Sequence, residues 1–308
     1  MTRFLVTGAS GLLGLNFSLH TSKMHEVVGT FNQNKLKNVP FHMLAFDLSR
    51  KNNSFSRMDE INPDVVIHCA AMANLEECEK SPEQARYLNS ELPGIFANYC
   101  KKNDIKFVHI STDAVFDGKS GNYNEQDQPN PLSTYAKTKL EGEYLVNEEN
   151  DHAIIARVNF FGWSISGKRS LGEFFYNNLK AQNSINGFVD VMFCPLYVSI
   201  LTDLILNMVE KQLSGLYHVV SSNSMSKYDF GCEIADQFKF DSSVIHPISV
   251  DKSELIAERS KNLTLSTEKI TRDLGKTLPR IKQGIRSFYE DHQNGYAKKI
   301  RTLSFDPN

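Results

Sequence analysis

The chain has 308 residues, 41% of them hydrophobic and 23% charged, and a formal net charge of −2. This composition predicts a soluble globular protein able to fill one large or two smaller domains, and the lack of a basic excess speaks against nucleic acid or an anionic membrane as partner. The five cysteines (Cys69, Cys78, Cys100, Cys194, Cys232) form no C-x-x-C pair, which fits a reducing cytoplasm rather than a disulfide framework or a zinc site, so no metal is expected. The first residues enter a strand pattern at once, so no signal peptide is expected, and no apolar run of about 18 residues predicts a membrane span.

Arg3 to Thr7 is a short apolar strand, followed directly by Gly8-Ala9-Ser10-Gly11-Leu12-Leu13-Gly14 and an apolar helical pattern to about Ser22. A strand turning through glycines into a helix aims backbone N–H groups and the positive helix end at one spot, which suits a pyrophosphate. Gly8 allows the tight turn, Gly11 the approach of phosphates, and Gly14 close helix–strand packing. The spacing is G-x-x-G-x-x-G, so on these residues alone an ordinary strand-to-helix turn stays open.

Glu26 to Thr30 reads as the second strand. Dinucleotide sites usually place an acid just beyond it, on the ribose 2′-hydroxyl. Here Asn32, Gln33, Asn34 and Lys35 follow, with no acid. Asn32 would not repel a 2′-phosphate and Lys35 or Lys37 would neutralise one, which favours NADPH over NADH. The lysines read equally well as solvated loop charges.

The third strand, Phe41 to Phe46, ends in Asp47-Leu48, suited either to an adenine edge and face or, for Asp47, to capping the next helix. Val65-Val66-Ile67-His68 then runs into Cys69-Ala70-Ala71, as a strand buried on both faces would, and its small end residues leave room for a ribose and diphosphate. His68 reads as packed core, and Glu76, Glu77 and Glu79 as a solvated helix face. Pro82 to Lys102 predicts one long helix containing Asn89, and Lys106 to Ser111 a fifth strand. Strands alternating with helices predict an α/β, doubly wound parallel sheet, with ligands beyond the strands' carboxyl ends, where Gly8, Asp47, Ala70 and Thr112 all fall.

Tyr135 and Lys139 are four apart, so on a helix they share a face. A free phenol has a pKa of about 10, and a nearby ammonium would lower it. With Thr112 holding the same substrate oxygen, the pair suits a ketone that gains a proton as hydride arrives from a nicotinamide.

These segments together resemble the extended short-chain dehydrogenase/reductase family, in particular its dTDP-4-dehydrorhamnose reductase-like members. The resemblance rests on LVTGASGLLG at 5–14, PDVVIHCAAMANLEECEKSPEQA at 63–85, HISTDAVFDG at 109–118, NPLSTYAKTKLEGE at 130–143 and ARVNFFGW at 156–163, and continues into NLTLSTEKI at 262–270 and LPRIKQGI at 278–285. It implies a Rossmann fold binding NADPH or NADH, a nucleotide-sugar substrate, and Thr112, Tyr135 and Lys139 as catalytic residues. The expected cofactor contacts are Gly8, Ser10, Gly11, Leu12, Leu13, Gly14, Asn32, Asp47, Leu48, Cys69, Ala70, Ala71, Asn89, Tyr135 and Lys139. Ala114 stands where the subgroup commonly has an aromatic residue. It also replaces the glutamate of the family's sugar dehydratases, which disfavours water elimination. The subgroup's R-T-S-W-V-Y-G appears as Arg157-Val158-Asn159-Phe160-Phe161-Gly162, which puts the exact sugar in doubt.

In the second half, Ala153 to Val158 is a sixth strand and Ser170-Leu171-Gly172-Glu173 fits a capping box. Gly187 to Asp190 and Leu216 to Val220 read as strands returning to the sheet, and Lys227 to Phe238, Thr267 to Leu274 and Arg280 to Glu290 as helices. By resemblance, residues 1–162 with 187–221 form the dinucleotide-binding domain, and 163–186 with 222–308 a smaller interleaved substrate lobe. Phe160, Lys168, Arg169 and Arg259 are the expected substrate contacts; Arg259 suits a diphosphate by bidentate pairing, while all three cations read equally as surface charges. The tail around Lys298-Lys299-Ile300-Arg301 reads as frayed or as a subunit contact, for which a homodimer is the simplest assembly. Three functions compete: a cytoplasmic reductase of a nucleotide-linked 4-keto-6-deoxyhexose in deoxysugar or surface-polysaccharide synthesis, an epimerase that retains its NAD, and a non-catalytic partner-binding subunit like that of methionine adenosyltransferase.

Overall fold

The computed structural model describes residues 1–32, 35–48, 56–252 and 260–303. Its centre is a seven-stranded parallel sheet, ordered Gly215–Val219, β6 (Ile154–Val158), β5 (Lys106–Thr112), β4 (Val65–His68), β1 (Arg3–Thr7), β2 (Glu26–Phe31) and β3 (His42–Ala45). The chain runs outward from β1 through β3, crosses back to β4 and runs outward the other way. That reversal between β1 and β4 opens a crevice beyond their carboxyl ends, where open α/β sheets take ligands.

Strand alternation sorts the apolar residues into two cores, one on each face of the sheet. Phe4, Val6, Val65, Ile67, Ile154, Ala156 and Val158 join the first, which also takes Leu13 and Phe17 of the helix α1 (Leu12–Thr21). Leu5, Val66, Phe107 and Ile155 join the second, against Phe96, Ala97 and Cys100 of the Leu92–Lys102 helix. Each such side chain contributes about 1.5–3 kcal/mol by leaving water. The first core continues into the segments after β6, where Trp163 stacks on Phe288 with ring centroids 3.9 Å apart.

Three local expectations differ from the structure. The expected long helix is interrupted: Pro82–Arg86 and Leu92–Lys102 are joined by a π-helical turn at Tyr87–Glu91, which carries Asn89. Of the two expected returning strands, only Gly215–Val219 joins the sheet. Ile185–Phe188 pairs with Ile245–Ile248, and Gly187 lets it sit against Tyr228, whose ring an added Cβ would meet at 2.9 Å. The capping box forms only in part. Ser170 Oγ accepts from Glu173 N at 3.1 Å, but the buried Glu173 carboxylate takes its bonds from Ser164 and the Arg169 N–H. It therefore holds the 164–170 loop instead of the helix start. Among the described residues no helix is long and apolar enough to cross a membrane.

Candidate active site

The glycine turn is built by contacts that exclude side chains. Gly8 has φ +66°, and a Cβ there would lie 3.0 Å from the Ala70 backbone. The Thr7 hydroxyl accepts from Ala70 N at 3.1 Å, and Ala9 N donates to Thr30 O at 3.1 Å, so the turn is tied to the ends of β4 and β2. Gly11 is the N-cap of α1 and supplies no side-chain cap, so the helix's first N–H groups, including those of Leu12 and Leu13, have no capping side chain. A dinucleotide diphosphate fits this donor set. Ser10 is partly exposed beside it, while Ala71 at the end of β4 and Asn32 just past β2 are exposed on the same sheet edge. Asp47, half-buried, and Leu48, buried, follow the end of β3.

At Gly14 a Cβ would stand 2.4 Å from the Gly8 carbonyl oxygen, backbone against backbone. Gly14→Ala is therefore expected to destabilise the protein by about 1–3 kcal/mol through overpacking and to weaken dinucleotide binding with it. Thermal melts with and without NADP+ check this; an unchanged melt would show that the turn tolerates the methyl.

On the far side of the crevice, β5 ends in Thr112, and the Thr134–Glu149 helix presents Tyr135 and Lys139. Ser133 caps that helix, accepting from Ala136 N at 3.3 Å. Glu76, Glu77 and Glu79 are exposed, as expected, and Glu79 also binds Thr134 at both its N–H and hydroxyl, at 2.8 and 2.6 Å, which anchors the helix start. Asn89 is fully buried, and its amide bonds Met72 N, Met72 O and Thr138 Oγ1 at 2.9, 3.0 and 3.1 Å. Its position shapes the wall between β4 and this helix. Gly142 backs onto it so closely that a Cβ would lie 2.1 Å from the Asn89 carbonyl oxygen.

Tyr135 is pushed up to about 12, chiefly by burial; a hydrogen bond with Thr112 pulls the other way and Asp113 adds to the rise. This differs from the fall expected from Lys139. The ammonium is instead engaged by the Ile110 carbonyl at 2.6 Å and by His109 Nε2 at 3.2 Å. At neutral pH the phenol is thus protonated and able to give a proton. Lys139 is lowered to about 8 by burial, with Glu143 opposing, so it is mostly charged at pH 7. His68 is buried core, as expected, its Nδ1 3.0 Å from the Thr7 hydroxyl, and burial lifts the neighbouring Cys69 thiol to about 12.

A cavity of about 280 Å3 opens beside Tyr135. Its lining includes Leu75, Asp113, Ala114, Asn159, Met192, Lys227 and Ser260. Asp113 is buried; its carboxylate accepts from Asn159 Nδ2 at 2.6 Å and from Thr112 Oγ1 at 3.2 Å. Burial raises it to about 6 against the pull of those bonds and of Lys227. Met192, Lys227 and Ser260 carried no sequence signal, since they arrive from segments far along the chain from Tyr135. Phe160 is not in this lining: it packs on the main core, while its strand neighbour Asn159 faces the cavity. Lys168 and Arg169 are exposed and also outside the lining. Arg259 lies outside the described residues. A larger hollow of about 1150 Å3, lined in part by Phe4, Val65 and Ile105, sits at the opposite sheet edge and contains none of Thr112, Tyr135 or Lys139. Among the described residues no group of three or more His, Cys, Asp or Glu is placed to hold a metal ion.

Asp113 has a raised folded-state pKa, so its ionisation disfavours the folded protein. The stability it allows is full below its unfolded pKa and falls as pH rises through about 6. Asp113→Asn removes that loss and is expected to gain about 1–3 kcal/mol at pH 7.5 and nothing near pH 4. Denaturant titrations at the two pH values check it; a gain of equal size at both would assign the effect to packing.

A parallel sheet with a glycine turn at its switch point, and Tyr135 and Lys139 on the helix after β5, defines a Rossmann-type fold of the extended short-chain dehydrogenase/reductase kind. The chain belongs to the family of the RmlD substrate binding domain, whose model matches residues 2–294. It is 30% identical over 288 residues to the probable low-salt glycan biosynthesis reductase Agl14 of Haloferax volcanii, covering 91% of this chain and 95% of that protein. It is also 30% identical over 302 residues to methionine adenosyltransferase 2 subunit beta of Pongo abelii, covering 94% of this chain and 89% of the relative. Among solved structures, a dTDP-4-dehydrorhamnose reductase from Clostridium acetobutylicum superposes with a TM-score of 0.82 at 25% identity, over 94% of this chain and 99% of that one.

Proposed function

We propose that this protein is an NAD(P)H-dependent reductase of a nucleotide-linked 4-keto-6-deoxy sugar. The observation that carries the reading is the meeting, at one sheet edge, of an uncapped glycine-turn helix with Tyr135 and Lys139 on one helix, Tyr135 lining a cavity large enough for a sugar ring. When bound, the dinucleotide supplies the hydride. The N–H groups at Leu12 and Leu13 hold its diphosphate, and Asp47 and Leu48 hold its adenine. Lys139 holds the nicotinamide ribose. The absence of an acid after β2 favours NADPH. On binding, the Thr112 hydroxyl turns from Asp113 to donate to the substrate carbonyl oxygen, and Tyr135 gives that oxygen its proton as hydride reaches the carbon. Asp113, Asn159 and Lys227 bind sugar hydroxyls. The match to a glycan biosynthesis reductase supports a product destined for a glycan.

The test is a panel of nucleotide-linked 4-ketosugars offered with NADPH and, separately, NADH, following cofactor oxidation. Turnover of at least one member, faster with NADPH, is expected. No oxidation with any member would overturn the reading.

The likeness to methionine adenosyltransferase 2 subunit beta favours a second reading, in which the same fold serves as a subunit of another enzyme. Under that reading Tyr135→Phe leaves function intact, and the chain co-purifies in a stable complex with its partner.

A further inference from the structure

Lys139 is held from the strand side by a residue outside the Thr112, Tyr135 and Lys139 trio. His109, on β5, is fully buried, and its Nε2 lies 3.2 Å from Lys139 Nζ. The next residue, Ile110, accepts from the same nitrogen through its carbonyl at 2.6 Å. An ammonium has three N–H bonds. These two partners take two of them and leave one.

A donating ammonium requires a lone pair at Nε2, so His109 is neutral with its proton on Nδ1. Burial and the Lys139 charge hold the imidazole well below its ordinary pKa, in agreement. Nδ1 has no hydrogen-bond partner, a costly arrangement in a protein interior. The ring stacks on His68, its register partner on β4, with centroids 5.7 Å apart and planes 24° apart. A phenylalanine or leucine would fill this slot without an orphaned N–H. What only the imidazole brings is the acceptor aimed at Lys139. His68 extends the stack to the Thr7 hydroxyl, next to the glycine turn. One buried row thus joins the two sides of the crevice.

We propose that His109 is a positioning residue for the reductase reaction. As a neutral acceptor it fixes, together with the Ile110 carbonyl, the direction of the Lys139 ammonium, so that the remaining N–H faces the cofactor ribose and Tyr135. The catalytic consequence rests on the reductase reading; the hold on Lys139 does not.

Besides His109, the ionisable groups acting on Lys139 are His68 and Cys69 from the end of β4 and Glu143 from its own helix, with Tyr135 one turn before it. His68 and Cys69 are neutral at pH 7, and Glu143 is paired with Arg157. The His109 acceptor binds the ammonium more strongly than the neutral amine, so its loss is expected to lower the Lys139 pKa.

The test titrates Lys139 in the full chain labelled with ε-13C-lysine, without cofactor and with NADP+. Parent, His109→Phe, His109→Leu and His109→Gln proteins are compared. The two acceptor-free variants are expected to lower the Lys139 midpoint by about one unit, and the glutamine, which keeps an acceptor, to restore most of it. In turnover, the acceptor-free variants are expected to lose about tenfold in kcat with KM nearly unchanged, and their alkaline limb moves to lower pH with the midpoint. Using two acceptor-free variants keeps the comparison if one fails to fold. An unchanged midpoint in a folded acceptor-free variant, or an equal fall in His109→Gln, overturns the proposal. A parent protein inactive on every ketosugar defeats the reductase reading, while the titration still decides the role of His109.

Discussion

Tyr135→Phe is expected to lower kcat by about 10²–10⁴-fold, the range typical of losing a general acid. The phenol lines the cavity and is protonated at neutral pH, as an ordinary phenol is, and burial makes its anion costlier still. The variant keeps the ring and loses only the hydroxyl and its bond with Thr112, so folding and cofactor binding should change little. NADP+ affinity and melting temperature, measured beside kcat, separate loss of chemistry from loss of structure. A variant that retains more than about a tenth of the parent kcat would remove Tyr135 from the proton transfer.

Arg157→Met is expected to destabilise the fold by about 3–5 kcal/mol, the usual result of leaving a buried charge without its partner. Arg157 and Glu143 have side chains 2% and 4% exposed, and their closest approach is 2.7 Å. The Arg157 Nε reaches both carboxylate oxygens at 3.0 and 3.1 Å, Ser111 binds the same carboxylate, and the guanidinium lies 5.0 Å from the Phe116 ring centroid. Glu143 is one turn beyond Lys139, Ser111 precedes Thr112, and Arg157 is on β6, so the pair fastens the Thr134–Glu149 helix to the strands beside it. Two apolar residues of similar volume can replace such a pair at little cost. Arg157→Met combined with Glu143→Met should therefore recover much of the loss, and denaturant unfolding of the full cycle measures it. A single variant that costs less than about 1 kcal/mol would contradict this account of the pair.

The parts of the fold that were legible in the sequence were those set by local pattern. The apolar run Val65-Val66-Ile67 read as a strand buried on both faces and Ala153 to Val158 as a strand, and Val65–His68 and Ile154–Val158 are both wholly buried. The glycine turn was legible because backbone meets backbone at Gly8 and Gly14. The spacing of Tyr135 and Lys139 placed them on one helix face. The remainder depends on contacts between distant segments. The π turn at Tyr87–Glu91 precedes Pro93, which has no N–H for the Asn89 carbonyl and crowds it, and the Asn89 amide in that turn reaches Met72 and Thr138. Lys227 and Met192 enter the cavity from segments that carry no short motif. The upward shift of Tyr135 follows from how deeply that hydroxyl is enclosed, which spacing does not encode. Phe160 and Asn159 exchanged roles because one step along an extended segment turns a side chain to the opposite face.

The central claim, hydride transfer to a nucleotide-linked ketosugar, is tested most directly with NADPH deuterated at the transferring position of the nicotinamide. After incubation with the ketosugar panel, the sugar products are analysed by mass spectrometry and NMR. The account predicts one deuterium at C4 of a product sugar, formed by the parent protein and lost in Tyr135→Phe. Deuterium that stays entirely on the cofactor, with every sugar recovered as the ketone, would contradict it.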